Sequence, residues 1–205
     1  MNTIKRMEYL YEDKTIELEK ELNELDKFAI DFTSVLNELN IDSVFISGYV
    51  SILFGRSRSS ENIDIFIEKV SKPDFERLWS KLLEKFECMN TNNVNEAYND
   101  FLENNLAIRF TYPNEVMPNM ELKFPKTKLD LFALNNKIKV KLNSNNINIS
   151  PIELQIVFKL YLGSEKDIED ALFLHKVFKE KLNIELLEEF VKELNIKNTY
   201  ERYIK

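Results

Sequence analysis

Glycine is scarce in this chain: three in 205 residues, beside five prolines, one cysteine, one histidine and one tryptophan. So few glycines and prolines exclude a collagen-like or linker-rich chain. A single cysteine, Cys88, excludes an internal disulfide, and with His175 the only histidine no Cys/His zinc site can be assembled. His175 falls in a helical pattern far from any nucleophile-elbow sequence, which argues against a Ser-His-Asp triad. The opening stretch MNTIKRMEYLYEDK lacks the apolar core of a secretory signal. The most apolar stretch, Val44 to Phe54, is too short to span a bilayer. A reduced, cytoplasmic protein with no membrane partner is the expectation. The net charge of −7 and pI near 5.0 weigh against broad, non-specific nucleic-acid binding and leave room only for a local basic site.

What remains is ordinary soluble-protein material, 44% hydrophobic and 31% charged, long enough for one large domain or two small ones. From Thr15 to Leu39 apolar residues recur at Leu18, Leu22, Leu25, Ala29, Phe32, Leu36 and Leu39, a spacing that predicts one long amphipathic helix. Ser71-Lys72-Pro73-Asp74 reads as a helix start, with the helix running to about Phe86. Beyond an asparagine-rich loop, a short helix carries Tyr98, Phe101 and Leu102, and Leu106 to Phe110 alternates like a strand. Lys128 to Leu134 reads as a strand that turns at Asn135-Asn136 into a second strand, Lys137 to Leu142. The second strand aligns Lys137, Lys139 and Lys141 on one face, either plain solvent face or a landing surface for a polyanion. Ser150-Pro151-Ile152-Glu153 has the form of a capping box, after which helices of about 151–162, 165–179 and 184–194 lead into a frayed tail from Asn195. The fold class expected is α+β: a mixed sheet flanked by helices over residues 1–149, then a helical bundle over 150–205.

The informative stretch is Ser43 to Glu68, SVFISGYVSILFGRSRSSENIDIFIE. A short strand ends at Ser47-Gly48, an apolar helix follows, then an arginine-bearing loop and a second strand, Asn62 to Ile67. A glycine at such a turn lets backbone approach a phosphate, and a following helix offers free N–H groups. Along the second strand Asn62 and Asp64 share one face while Ile63 and Ile65 share the other. Paired polar oxygens beside a phosphate turn suit a divalent metal carrying a polyphosphate.

This stretch resembles the signature of the nucleotidyltransferase superfamily, a Gly-Gly or Gly-Ser pair followed about a dozen residues later by Asp-x-Asp or Asp-x-Glu. It is most similar to the AbiEii-like branch of toxin-type nucleotidyltransferases, whose R-x-T-x-D-I-D reads here Arg58-Ser59-Ser60-Glu61-Asn62-Ile63-Asp64. The second residue of the glycine pair is Tyr49, and the first metal-binding aspartate is Asn62. The resemblance implies Mg2+ or Mn2+ held by Asn62, Asp64 and a third carboxylate on a later strand, matched by Asp130, with Asp64 and Asp130 the catalytic pair. It implies nucleotide contacts from Ser47, Gly48, Tyr49, Arg56 and Arg58. It extends to a K-D-x-x-D stretch, Asp167 and Asp170 with upstream Lys159; Ser164 and Asp167 also suit a plain helix cap. Three functions compete. One is transfer of a nucleoside monophosphate from an NTP to a hydroxyl on RNA (tRNA among them), protein or a small molecule. Another is a catalytically degraded nucleotide-binding or interaction module, silent because of Asn62, paired with an antitoxin-like partner. A third is a helical partner or homo-oligomer built on the Leu18–Leu39 seam.

Overall fold

The computed structural model describes residues 9–205. Residues 1–8, on which the absence of a leader partly rests, lie outside the described residues. The chain begins with a hairpin, β1 (Tyr9–Glu12) and β2 (Thr15–Leu18), whose turn residues Asp13 and Lys14 both take positive φ. The single long helix expected from Thr15 is thereby corrected: helix α1 starts only at Glu24 and runs to Glu38. The start is written in Asn23 and Asp26, which form a reciprocal capping box. Thr15 to Leu18 go to the sheet because Ile16 and Leu18 meet Val140 and Leu142 on a neighbouring strand, and both are fully buried there.

The next elements are β3 (Ser43–Ile46), α2 (Gly48–Leu53), β4 (Asn62–Ile67) and α3 (Lys72–Leu82). Then come β5 (Glu87–Cys88), α4 (Val94–Glu96), the π-helical turn Ala97–Leu102, β6 (Ile108–Thr111) and β7 (Asn119–Lys123). Lys128–Asn135 is a helix, α5, not the strand expected there. Thr127 caps it and Asp130 returns the bond, so the local backbone is fixed by a capping box rather than by a pleat. The lysine-bearing strand β8 (Ile138–Leu142) accordingly pairs antiparallel with β9 (Asn145–Ile149) and parallel with β2. Two of the three lysines expected as a stripe are paired, Lys137 with Asp42 and Lys141 with Glu17.

Helices α6 (Ile152–Leu162), α7 (Glu165–Phe178), α8 (Ile184–Glu193) and α9 (Lys197–Tyr203) finish the chain. The tail from Asn195, expected to fray, therefore holds a helix, and Tyr200 is buried in the core. The capping box expected at Ser150 does not form. Pro151 occupies the cap position, while Glu153 reaches across to accept the Asn183 backbone N–H at 2.7 Å.

The sheet has nine described strands in the order β1-β2-β8-β9-β3-β4-β7-β6-β5, mixed in direction. One of its faces is sealed. Phe28 and Phe32 of α1, with Trp79 of α3, pack rings against Phe86, Phe110 and Tyr112. Truncating Phe32, fully buried, costs on the order of 3–5 kcal/mol. On the other face Val44, Phe66 and Leu134 form a small separate cluster, and α5 covers β3 and β4 there while α6 packs on α7, α8 and α9. This incompletely covered face carries the polar residues of interest.

Candidate functional site

A cavity of about 280 Å3 lies over that second face, between α5 and α6. Ser47, Asp64, Lys123, Asp130 and Lys159 line its polar part, and Leu129, Ala133, Leu154, Phe158 and Leu162 much of the rest. Five residues from four separate elements and a turn thus converge on one space. Phe158 is more exposed than a core phenylalanine, and its ring lies 6.0 Å from that of Tyr161.

Strand β4 aims Asp64 at this cavity by the alternation the sequence predicts: Ile63 and Ile65 are fully buried while Asn62 and Asp64 are partly exposed. Its parallel neighbour β7 places Glu121 opposite Asp64 and Asn119 opposite Asn62. The second carboxylate on the sheet is therefore Glu121, which the sequence reading passed over. The signal was present in Asn119-Met120-Glu121-Leu122-Lys123-Phe124, a plain polar–apolar alternation. Asp130 is corrected accordingly: it stands at the start of α5, where its Oδ2 accepts the backbone N–H groups of Lys126 and Thr127 at 3.0 and 2.8 Å. It borders the cavity from the helix side and does not sit on a strand beside Asp64.

Lys123, also missed, joins the two strand carboxylates. Its Nζ lies 2.6 Å from Asp64 Oδ1 and 3.1 Å from Glu121 Oε2. Arg109 holds the other Glu121 oxygen, Oε1, through Nε at 3.0 Å and a terminal nitrogen at 2.7 Å. Burial pushes the Asp64 carboxyl above the usual carboxylate range, with Lys123 pulling against it. Glu121, despite its own burial, is held low by Lys123 and Arg109. Lys123 is held high by Asp64 and Glu121, against the effect of burial.

A second charged cluster ties the arginine loop to the helical block. Asp170 is fully buried and takes Lys159 at 2.9 Å, Arg56 at 2.5 Å and Arg58 at 3.5 Å. Lys159 also donates to Asp167 at 2.8 Å, and Arg56 to Glu169 at 2.7 Å. Ser164 caps α7 through the Asp167 N–H, so capping and ion pairing both hold for Asp167. Arg56 and Arg58 thus point into α7 rather than out as free clamps. Desolvation lowers the Arg58 pKa, and Asp170 works against that shift.

Two residues of the turn are reassigned. A Cβ at Gly48 would lie 1.6 Å from a guanidinium nitrogen of Arg58, so the missing side chain makes room for Arg58 rather than for a phosphate. Tyr49 has no exposed surface; its hydroxyl donates to Asp26 Oδ1 at 3.0 Å, which removes it from any nucleotide-facing role. Burial first, then Asp26, raises the Tyr49 pKa well above its ordinary value. Helix α2 has only six residues, too short for a strong dipole.

The donors Asp64, Glu121 and Asn62 are hard oxygens of the kind divalent ions prefer. Yet no group of three acidic, histidine or cysteine side chains forms a metal set among the described residues. The point between the two carboxylates is held by the Lys123 ammonium. As arranged, the residues do not fit a divalent ion.

Comparison with solved structures defines the fold. The chain is similar to an antigenic nucleotidyltransferase-like protein from Paracoccidioides brasiliensis, with a TM-score of 0.55 and 16% identity over 89% of this chain and 94% of that one. JHP933 from Helicobacter pylori matches with a TM-score of 0.45 and 15% identity, over 90% of this chain and 82% of that one; so loose a likeness defines no fold. No protein-family profile and no curated protein sequence matches the chain. The fold is nucleotidyltransferase-like: a mixed sheet flanked by helices, with helices following. No helix among the described residues is long and apolar enough to cross a membrane.

Proposed function

We propose that the chain is a nucleotidyltransferase that moves a nucleoside monophosphate from an NTP to a hydroxyl acceptor, in the manner of the AbiEii-like proteins its Arg58-to-Asp64 stretch resembles. The observation that carries this is the joining of Ser47, Asp64, Lys123 and Lys159 with an apolar arm in one cavity. Cations at one end suit a polyphosphate, and Leu129, Ala133, Leu154 and Phe158 suit a nucleoside. Phosphoryl-type transfer needs positioning and charge neutralisation more than covalent help from the protein. Lys123 would orient the phosphates, while Lys159, held by Asp167 and Asp170, forms part of the cavity wall. Asp64, its pKa raised by burial, would accept the proton of the attacking hydroxyl.

A second reading, a nucleotide-binding module without turnover, is favoured by Asn62, whose amide adds no negative charge at the head of β4. Incubation with labelled NTPs and Mg2+ or Mn2+, with and without total tRNA, separates the two. Label transfer that disappears in Asp64→Ala supports the enzyme. Thermal stabilisation by NTP without transfer supports the binding module. With neither result, both readings fall.

A further inference from the structure

Resting on that reading of the site, we propose that Lys123 is its resident cation, and that a divalent ion reaches Asp64 and Glu121 only by displacing it. Strands β4 and β7 run parallel with Asp64 and Glu121 in register, about 4.8 Å apart across the strands. Two carboxylates so spaced on one face share a single cation between them. An Mg2+ ion needs its oxygens at about 2.1 Å, from that same central point. The Lys123 ammonium already stands there, in contact with an oxygen of each. It arrives from the same strand, two residues beyond Glu121, so the placement is built into the pleat.

Charge leads to the same conclusion. Asp64 and Glu121 contribute two negative charges, and Lys123 with Arg109 contributes two positive ones. A divalent ion approaching this cluster meets no net negative charge until Lys123 leaves. Arg109 cannot leave so readily, because two of its nitrogens grip one Glu121 oxygen. Lys123 can: it holds each carboxylate by a single contact and, unlike Arg109, it lines the cavity where phosphates would receive it.

The test is a titration of the full chain with Mn2+ alone, following the free ion by electron paramagnetic resonance at neutral pH. Wild type and Lys123→Arg are expected to bind no ion tighter than about 1 mM, as for the weakest oxygen-ligand sites. Lys123→Met is expected to bind one ion at least about tenfold tighter, the scale on which neighbouring groups tune metal affinity. The double variant Lys123→Met/Asp64→Asn loses that gain. Lys123→Gln serves the same purpose should the methionine variant not fold. Micromolar binding by wild type or by Lys123→Arg, or no gain on removing the lysine charge, overturns the proposal. NTP-dependent thermal stabilisation, measured in parallel with chelator present, reports on nucleotide binding separately. Its absence would count against the proposed function while the Mn2+ comparison still stands or falls alone.

Discussion

Two charged clusters sit within reach of one cavity, and they are built for opposite purposes. The cluster on the strands, Asp64, Glu121, Lys123 and Arg109, is partly exposed, and its lysine makes two single contacts from a flexible stem. The cluster between the arginine loop and the helices, Arg56, Arg58, Lys159, Asp167 and Asp170, closes around a carboxylate with no exposed surface. Charges that are to work on a ligand must be free to exchange partners; charges that hold elements together must not be. Sequence motifs name Asp64 of the first set and all five residues of the second as site residues alike, and burial tells them apart.

The comparison breaks most visibly at Asp170. Asp170→Ala removes the buried carboxylate that three cations share. It leaves Arg58 without an ion-pair partner among the described residues, while Lys159 keeps Asp167 and Arg56 keeps Glu169, and is expected to cost about 3–5 kcal/mol in denaturant unfolding. A loss below about 1 kcal/mol, the worth of a surface pair, would mean that this cluster is no lock. Asp64→Ala should do the reverse, cutting label transfer by about 100-fold or more while leaving the unfolding midpoint nearly in place. Gly48→Ala sharpens the boundary between the two. The new methyl group collides with Arg58, and moving that arginine should lower stability by about 1–3 kcal/mol. Tyr49→Phe removes the hydroxyl from Asp26 and is expected to cost about 1–2 kcal/mol with nucleotide affinity unchanged. Weakened nucleotide binding in a variant of normal stability would return Tyr49 to the site.

The smallest effect concerns acid. Although burial works the other way, Lys159, Ser164 and Arg58 hold the Asp167 carboxyl below its ordinary value. Its folded form therefore keeps the charge more readily than the unfolded chain does. That stability is complete above the unfolded pKa and is lost as pH falls through the lower, folded one. Asp167→Asn should thus lose less stability than wild type as the pH falls below about 4, as followed by urea midpoints.

How much of this could be read in advance differs by element. The β3–α2–β4 stretch was legible because its local signals agree: a short apolar run, a turn, then alternation from Asn62. Asp64 was legible for the same reason. Thr15 to Leu18 misled because a heptad-like leucine spacing ran through a strand, and pairing with β8 overrode it. Lys128 to Leu134 misled because Leu-Asp-Leu imitates a pleat, although Thr127 and Asp130 spelled out a helix cap. That one misreading put the third carboxylate at Asp130 and hid Glu121 and Lys123, whose significance depends on register between strands far apart in sequence. Nor can sequence say which arginine nitrogen needs a glycine's empty space.

Ser47, finally, sits at φ 62° and ψ −136°, a conformation that favours glycine, and it does so immediately before Gly48. The bend has two positions suited to a residue without a side chain, and the chain supplies one. Ser47→Gly should therefore relax the bend and raise stability by about 1 kcal/mol or more. The native serine lines the cavity against its own backbone preference.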